Sequence, residues 1–242
     1  MAADGSGDFT TIGAAVLAAG SGYTIQIKNG TYNEHVTIDK TLTLENYAGH
    51  TPVIDGSDSL TPTLTINAAT TLRGLTINGA HALGAGIGYN EANVYAHANL
   101  TIENCTIQNF AHCGVKTDKP LTMRNTVIHT GGDSHIDHCV YISAGNAGTH
   151  TLENCEFYGA TGWGLHLYSY EYNANVTGCN IHNNASGGIL LTGEGHTIDA
   201  NTITDNGATN HNGGVTFFHY GGTNLSVTNN TLSGNATYDL SN

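Results

Sequence analysis

From Tyr23 onward the chain alternates apolar and polar residues in short runs, as in Tyr23-Thr24-Ile25-Gln26-Ile27, Leu42-Thr43-Leu44 and Leu64-Thr65-Ile66. A period of two belongs to a strand with one buried face. Gly and Asn, the residues that turn corners most readily, separate the runs. Seven segments then superimpose without gaps. The first reads Leu72-Arg73-Gly74-Leu75-Thr76-Ile77; the others begin at Ile102, Met123, Leu152, Val176, Ile198 and Val227, spaced 21 to 30 residues apart. One such unit cannot bury its apolar face alone, so the units must coil on one another. No segment after Gly20 has a helical apolar period. The pattern therefore predicts an all-β solenoid, a single-stranded parallel β-helix, in one domain spanning 1–242.

The one helical pattern runs from Asp8 to Gly20, where Phe9, Ile12, Val16 and Ala19 share a face. Asp8 or Thr10 can cap it, Gly20 can stop it, and its place before the first strand suits a lid over an open sheet edge. The coils are expected over 23–232 and a tail over 233–242. No helix closes the far end, which leaves it to the tail, a missing domain or another subunit; oligomerisation through that end is an expectation.

The repeat accounts for several residues without chemistry. Arg73, Glu103, Arg124 and Glu153 hold one equivalent position and alternate in sign, as a surface charge ladder does. Cys105, Cys155 and Cys179 share another position with Thr126, Asn201 and Asn230, which points to small buried ladder residues rather than disulfides. Cys113 and Cys139 fall on adjacent segments, and the sequence leaves a bridge between them open.

Composition narrows the function classes. Thirty-two glycines against three prolines fit many turns, and a net charge of −13 with 10% charged residues gives no nucleic-acid footprint. No apolar run approaches the roughly 18 residues of a membrane span. The chain opens Met1-Ala2-Ala3-Asp4 without a basic or hydrophobic leader, which leaves an intracellular protein or, the expectation favoured by this composition, a secreted one whose signal peptide has been removed and replaced by an initiator Met.

Candidate chemistry gathers between His112 and Tyr168. Cys113-Gly114-Val115-Lys116-Thr117-Asp118, His138-Cys139-Val140-Tyr141-Ile142-Ser143 and Trp163-Gly164-Leu165-His166-Leu167-Tyr168 align so that Lys116, Tyr141 and His166 share one outward position. Stacked, they form a column with a step of about 4.8 Å. Just before Tyr141, the stretch from Gly131 to His138 carries Asp133, His135, Asp137 and His138. Titratable groups in such density suit acid–base catalysis, and Lys116, Tyr141, His166, His138 and Asp137 are the catalytic candidates. Trp163, Tyr168 and Tyr170 are candidate sugar-stacking platforms, with His112 and His135 as further substrate contacts. No short Cys/His spacing of a structural zinc site occurs. No cofactor is required, although Asp133 and Asp118 offer oxygen ligands for calcium.

The repeats from Leu72 to Leu232, and the opening Ala3-Asp4-Gly5-Ser6-Gly7-Asp8-Phe9-Thr10-Thr11-Ile12, resemble the right-handed parallel β-helix superfamily of polysaccharide-active proteins. The opening is similar to the start of pectin methylesterases. The stretches Asp137 to Ser143 and Gly162 to Tyr168 resemble a motif pair of secreted bacterial β-helix proteins. The Asp-Phe-Ile-Phe-Gly motif of pectin methylesterases, the grouped aspartates of polygalacturonases and the Asp-Pro-His-Glu motif of alginate epimerases are absent. The resemblance implies a secreted enzyme on an acidic polysaccharide, foremost a lyase cleaving a uronate polymer by β-elimination. A C5-epimerase would use the same groups; a glycoside hydrolase would use Asp133 with Asp137, and a non-catalytic adhesion solenoid would use Trp163, Tyr168 and Tyr170.

Overall fold

The computed structural model describes residues 1–57, 61–79, 92–143, 148–168, 173–208, 213–217 and 224–241. Among the described residues there are three parallel sheets of nine strands each, and every third strand returns to the same sheet. The first holds the strands that contain Leu72 and its equivalents, from Thr24–Ile27 to Ser226–Thr228; the second runs from Thr31–Asn33 to Thr231–Ser233. The third contains Ala92–Ala96, Cys113–Thr117, Val140–Ser143 and Trp163–Tyr168 in succession.

Register follows the repeat. Leu72, Ile102, Met123, Leu152, Val176 and Ile198 pair in sequence up the first sheet, all fully buried. Each such side chain contributes about 1.5–3 kcal/mol by leaving water, and together they line one continuous core. Between the first and second sheets the chain turns a corner at Gly74, Asn104, Asn125, Asn154, Gly178, Ala200 and Asn229, each left-handed with φ between +47° and +65°. Gly and Asn recur there because they enter that region at least cost.

The expected ladders are present. Glu103 receives Arg73 at 2.9 Å and Arg124 at 3.7 Å, and Arg124 Nε reaches Glu153 at 2.7 Å. Glu45 extends the series, 3.2 Å from Arg73. Inside, Cys105 N–H donates to Thr126 Oγ1, Cys155 N–H to Cys179 Sγ, Cys179 N–H to Asn201 Oδ1 and Asn201 N–H to Asn230 Oδ1. All five cysteines are free and buried, so Cys113 and Cys139 are not bridged. A second internal ladder, Asn184, Asn206 and Asn235, was not anticipated from the repeat.

Both ends differ from expectation in detail. The helix spans Ile12–Ala18 rather than 8–20, with Thr11 as N-cap. Residues before it fold back, Ala2 N–H donating to Phe9 C=O at 2.9 Å. Glu34 accepts from the amides of Ile12 and Gly13, and Lys40 donates to the carbonyls of Val16, Leu17 and Ala19. Opposite charges thus satisfy the two ends of the helix. At the other end the tail supplies a strand, Leu240–Ser241, which pairs with Val215–Phe217 and lengthens the third sheet instead of covering it. No described helix is long and apolar enough to cross a membrane.

Candidate active site

The third sheet brings the expected column together. Lys116 pairs in register with Tyr141 and Tyr141 with His166, while Tyr95 precedes Lys116 one coil earlier. The column is not uniformly open to solvent. Lys116 is only 6% exposed, with its ammonium 5.3 Å from the Tyr95 ring centroid and 5.5 Å from that of Tyr141. Two flanking rings attract a cation through their faces and cover its aliphatic stem. Burial lowers the Lys116 pKa, opposed by Cys113 and Asp118.

His166 and His138 form a relay whose proton positions follow from one backbone donor. Trp163 N–H donates to His138 Nδ1 at 3.0 Å, so that nitrogen is a bare acceptor. The proton of neutral His138 then sits on Nε2 and points at His166 Nδ1, 2.9 Å away. His166 consequently carries its own proton on Nε2, and this atom is buried without a partner. Desolvation holds the His166 pKa down to about 3 and that of His138 well below its usual value. His138, a catalytic candidate, therefore has both ring nitrogens committed within the protein and positions His166. His166 holds an outward register position in its strand, with its Nε2–H buried and unpartnered.

A second arrangement lies one coil earlier. His112 Nδ1 is 3.1 Å from Asp137 Oδ1 and 3.2 Å from Cys113 Sγ. Asp137 Oδ2 accepts from the amides of Asp133 at 2.7 Å and Ser134 at 2.6 Å. Both carboxylate oxygens are thus matched to N–H donors, the proton of neutral His112 lies on Nδ1, and Nε2 is left with a lone pair. That Nε2 is buried and unpartnered among the described residues. Burial lowers the His112 pKa against the pull of Asp137. Burial also raises that of Asp137, with His112 and the two amides opposing. The turn depends on Gly132 at φ +86°, where a Cβ would lie 2.4 Å from Thr161 Oγ1 and 2.5 Å from Asp137 Cβ. His112, expected as a substrate contact, and Asp137, expected to act directly, are instead a buried pair in which the carboxylate orients the ring.

The remaining candidates divide. Trp163, expected as a stacking platform, is 6% exposed: its ring lies against Gly187, which faces it in the next coil and has no side chain to displace it. Tyr168 is 46% exposed, 5.4 Å from the His166 ring and 6.0 Å from that of Tyr141, and so keeps a free face beside the column. Tyr170 lies outside the described residues. His135 and Asp133 are exposed in the turn after Gly131. Asp118 pairs with Lys119 at 3.1 Å. Among the described residues no three His, Cys, Asp or Glu side chains gather as cation ligands.

Sequence reasoning passed over Tyr95, although Ala92-Asn93-Val94-Tyr95-Ala96 carries the same alternation one coil before Lys116. It also missed the concentration of unpartnered buried polar atoms. Among the described residues these are His112 Nε2, Asp118 Oδ1, His166 Nε2 and Thr216 Oγ1, all on the third sheet or at its strand ends.

A family model described as "Right handed beta helix region" matches residues 4–170 and 61–232. No curated protein sequence matches the chain. Among solved structures, a pectin methylesterase from Aspergillus niger superposes with a TM-score of 0.63 at 18% identity, covering 94% of this chain and 83% of that one. The A-module of the mannuronan C-5 epimerase AlgE6 from Azotobacter vinelandii gives 0.51 at 17% identity, covering 93% and 82%. The ORF18 protein of Geobacillus virus E2 gives 0.58 at 14% identity, covering 93% of this chain and 56% of that one. Likeness at these identities establishes the fold alone.

Proposed function

The chain belongs to the right-handed β-helix family, and on that premise we propose that it is a polysaccharide-active enzyme, a lyase that cleaves a uronate-containing polymer by β-elimination. The observation that carries the reading is the column itself: a buried ammonium, a phenol and an imidazole N–H from three successive coils, held in register beside an exposed tyrosine. Removing the proton α to a carboxylate requires that carboxylate to be neutralised and the leaving oxygen to be protonated. Lys116, as an ammonium, and His166 Nε2–H are suited to the carboxylate. Neutral His166 is a poor proton donor, because its relay ends at a backbone amide that cannot resupply a proton. Tyr141 is the group suited to protonate the leaving oxygen, and Tyr168 offers a face for a sugar ring.

The names of two structural neighbours, a pectin methylesterase and a mannuronan C-5 epimerase module, support a uronate polymer as substrate class. The second keeps epimerisation as the alternative, since returning the proton to the opposite face needs the same groups. Secretion accords with a polymeric substrate and belongs to the same proposal.

Incubation with alginate, pectate and glycosaminoglycans in deuterated water tests the reading. Ultraviolet absorbance from unsaturated uronates is the expected outcome. Deuterium at C5 without chain cleavage would replace the lyase by the epimerase, and new reducing ends without unsaturation would replace it by a hydrolase.

A further inference from the structure

Proton abstraction needs a base with a lone pair facing substrate, and neither histidine of the relay has one: His138 uses both nitrogens internally, and His166 presents N–H. From the geometry around Asp137 we infer that His112, through Nε2, is the base of this site, and that Asp137 is its positioning residue. The inference rests on the proposed reaction class but on different atoms.

Four observations carry it. Asp137 Oδ1 takes the His112 Nδ1 proton, and its other oxygen is fixed by two backbone amides, so the carboxylate cannot turn away to release the ring. The segment bearing Asp137 is itself tied to the next coil, Gly162 N–H donating to Asp137 C=O at 2.7 Å. His112 is 6% exposed, yet its Nε2 meets no donor among the described residues, and a buried acceptor without a partner is costly unless a ligand supplies one. Finally, the charged and titratable groups facing the ring are Asp137, Cys113, Lys116 and His138, and the charge of Lys116 acts on His112. The base thus belongs to the same electrostatic environment as the ammonium that would hold the carboxylate. This is the carboxylate–imidazole logic of acid–base enzymes, with the oriented ring accepting from carbon instead of from a hydroxyl.

The step balances as follows. His112 Nε2 takes the C5 proton of the uronate, and the C–H electron pair becomes the C4=C5 double bond. The C4–O bond breaks, and the departing oxygen takes the phenolic proton of Tyr141. The imidazolium and phenolate return to their starting forms by proton exchange with solvent.

Two measurements on the full chain test the assignment separately from the reaction class. Nitrogen-15 NMR of the labelled, substrate-free protein at neutral pH is expected to show His112 as the Nδ1–H tautomer and His138 and His166 as Nε2–H. In Asp137→Asn the His112 ring is expected to leave the Nδ1–H form. An Nε2–H tautomer for wild-type His112 would overturn the assignment whatever the enzyme's activity. On whichever polymer the wild type cleaves, His112→Asn keeps a donor toward Asp137 but has no ring Nε2. Its turnover is expected to drop by about 100-fold or more with KM little changed, and the acidic limb of the pH–rate profile should vanish. Turnover within a few-fold of wild type would also overturn it. Inertness of the wild type on every polymer would remove the reaction class, leaving the tautomer spectrum to decide on His112.

Discussion

Ala200 turns a corner at φ +55° where its counterparts in the other coils are Asn or Gly. A Cβ next to the following carbonyl costs an L-residue roughly 1 kcal/mol there, and Asn offsets part of that with local hydrogen bonding. Ala200→Asn should therefore raise stability by about 0.5–1 kcal/mol, read as a higher urea midpoint at unchanged slope. His166 makes a prediction of opposite kind. Its folded pKa of about 3 lies below the unfolded value of 6.5, so the unfolded chain binds the extra proton first. Its stabilising contribution is complete above about pH 6.5 and is lost as pH falls toward 3. His166→Gln should flatten that part of the stability–pH curve; equal slopes in both proteins would show that burial of His166 is not what excludes the proton. The shared outward position of Lys116, Tyr141 and His166 was legible because strand alternation and in-register stacking transmit it directly. The burial of Lys116 was not, because coverage by the Tyr95 and Tyr141 rings depends on rotamers. The pairing of His112 with Asp137 was hidden for another reason: both stand in turns, where the period of two no longer says which way a side chain points.

Elements of this solenoid are joined by internal asparagines as much as by sheet hydrogen bonds. Asn206 Oδ1 accepts from the backbone and side chain of Asn184, and its amide donates to the carbonyls of Ile181 and Thr204. Asn206→Ala would leave buried backbone groups without partners, and the expected cost is about 1–3 kcal/mol in urea unfolding. Asn229→Ala, at an exposed corner, should cost less, and the reverse order would contradict the ladder's role. The ladder at Cys105, Cys155, Cys179 and Asn201 was legible because the repeat aligns those positions without gaps. The ladder of Asn184, Asn206 and Asn235 was not, since it follows the second sheet, beyond the aligned block. The capping helix was expected from its apolar face, yet it begins only at Ile12. Phe9 shares the helical phase but packs against the core from a turn, a distinction that periodicity cannot draw.

For the molecule as a whole, the three sheets and the charge ladder make an acidic solenoid, and the proposed chemistry lies on its third sheet. A net charge of −13 repels a polyuronate at long range, whereas a contact at Lys116 acts at short range. Raising ionic strength from about 0.01 M to 0.15 M shortens the screening distance from about 30 Å to 8 Å. It should therefore lower KM for an acidic polymer before higher salt weakens the contact itself; a KM that only rises with salt would place the dominant attraction elsewhere. The central claim is that one column spanning successive coils performs a β-elimination. Its most direct test is ultraviolet absorbance of alginate, pectate and glycosaminoglycans incubated in parallel with the wild type and with Lys116→Met. The expected result is steady growth of unsaturated product on at least one polymer with the wild type and at least a 100-fold slower rate with the variant. No growth on any polymer, or equal growth with both proteins, would contradict the account.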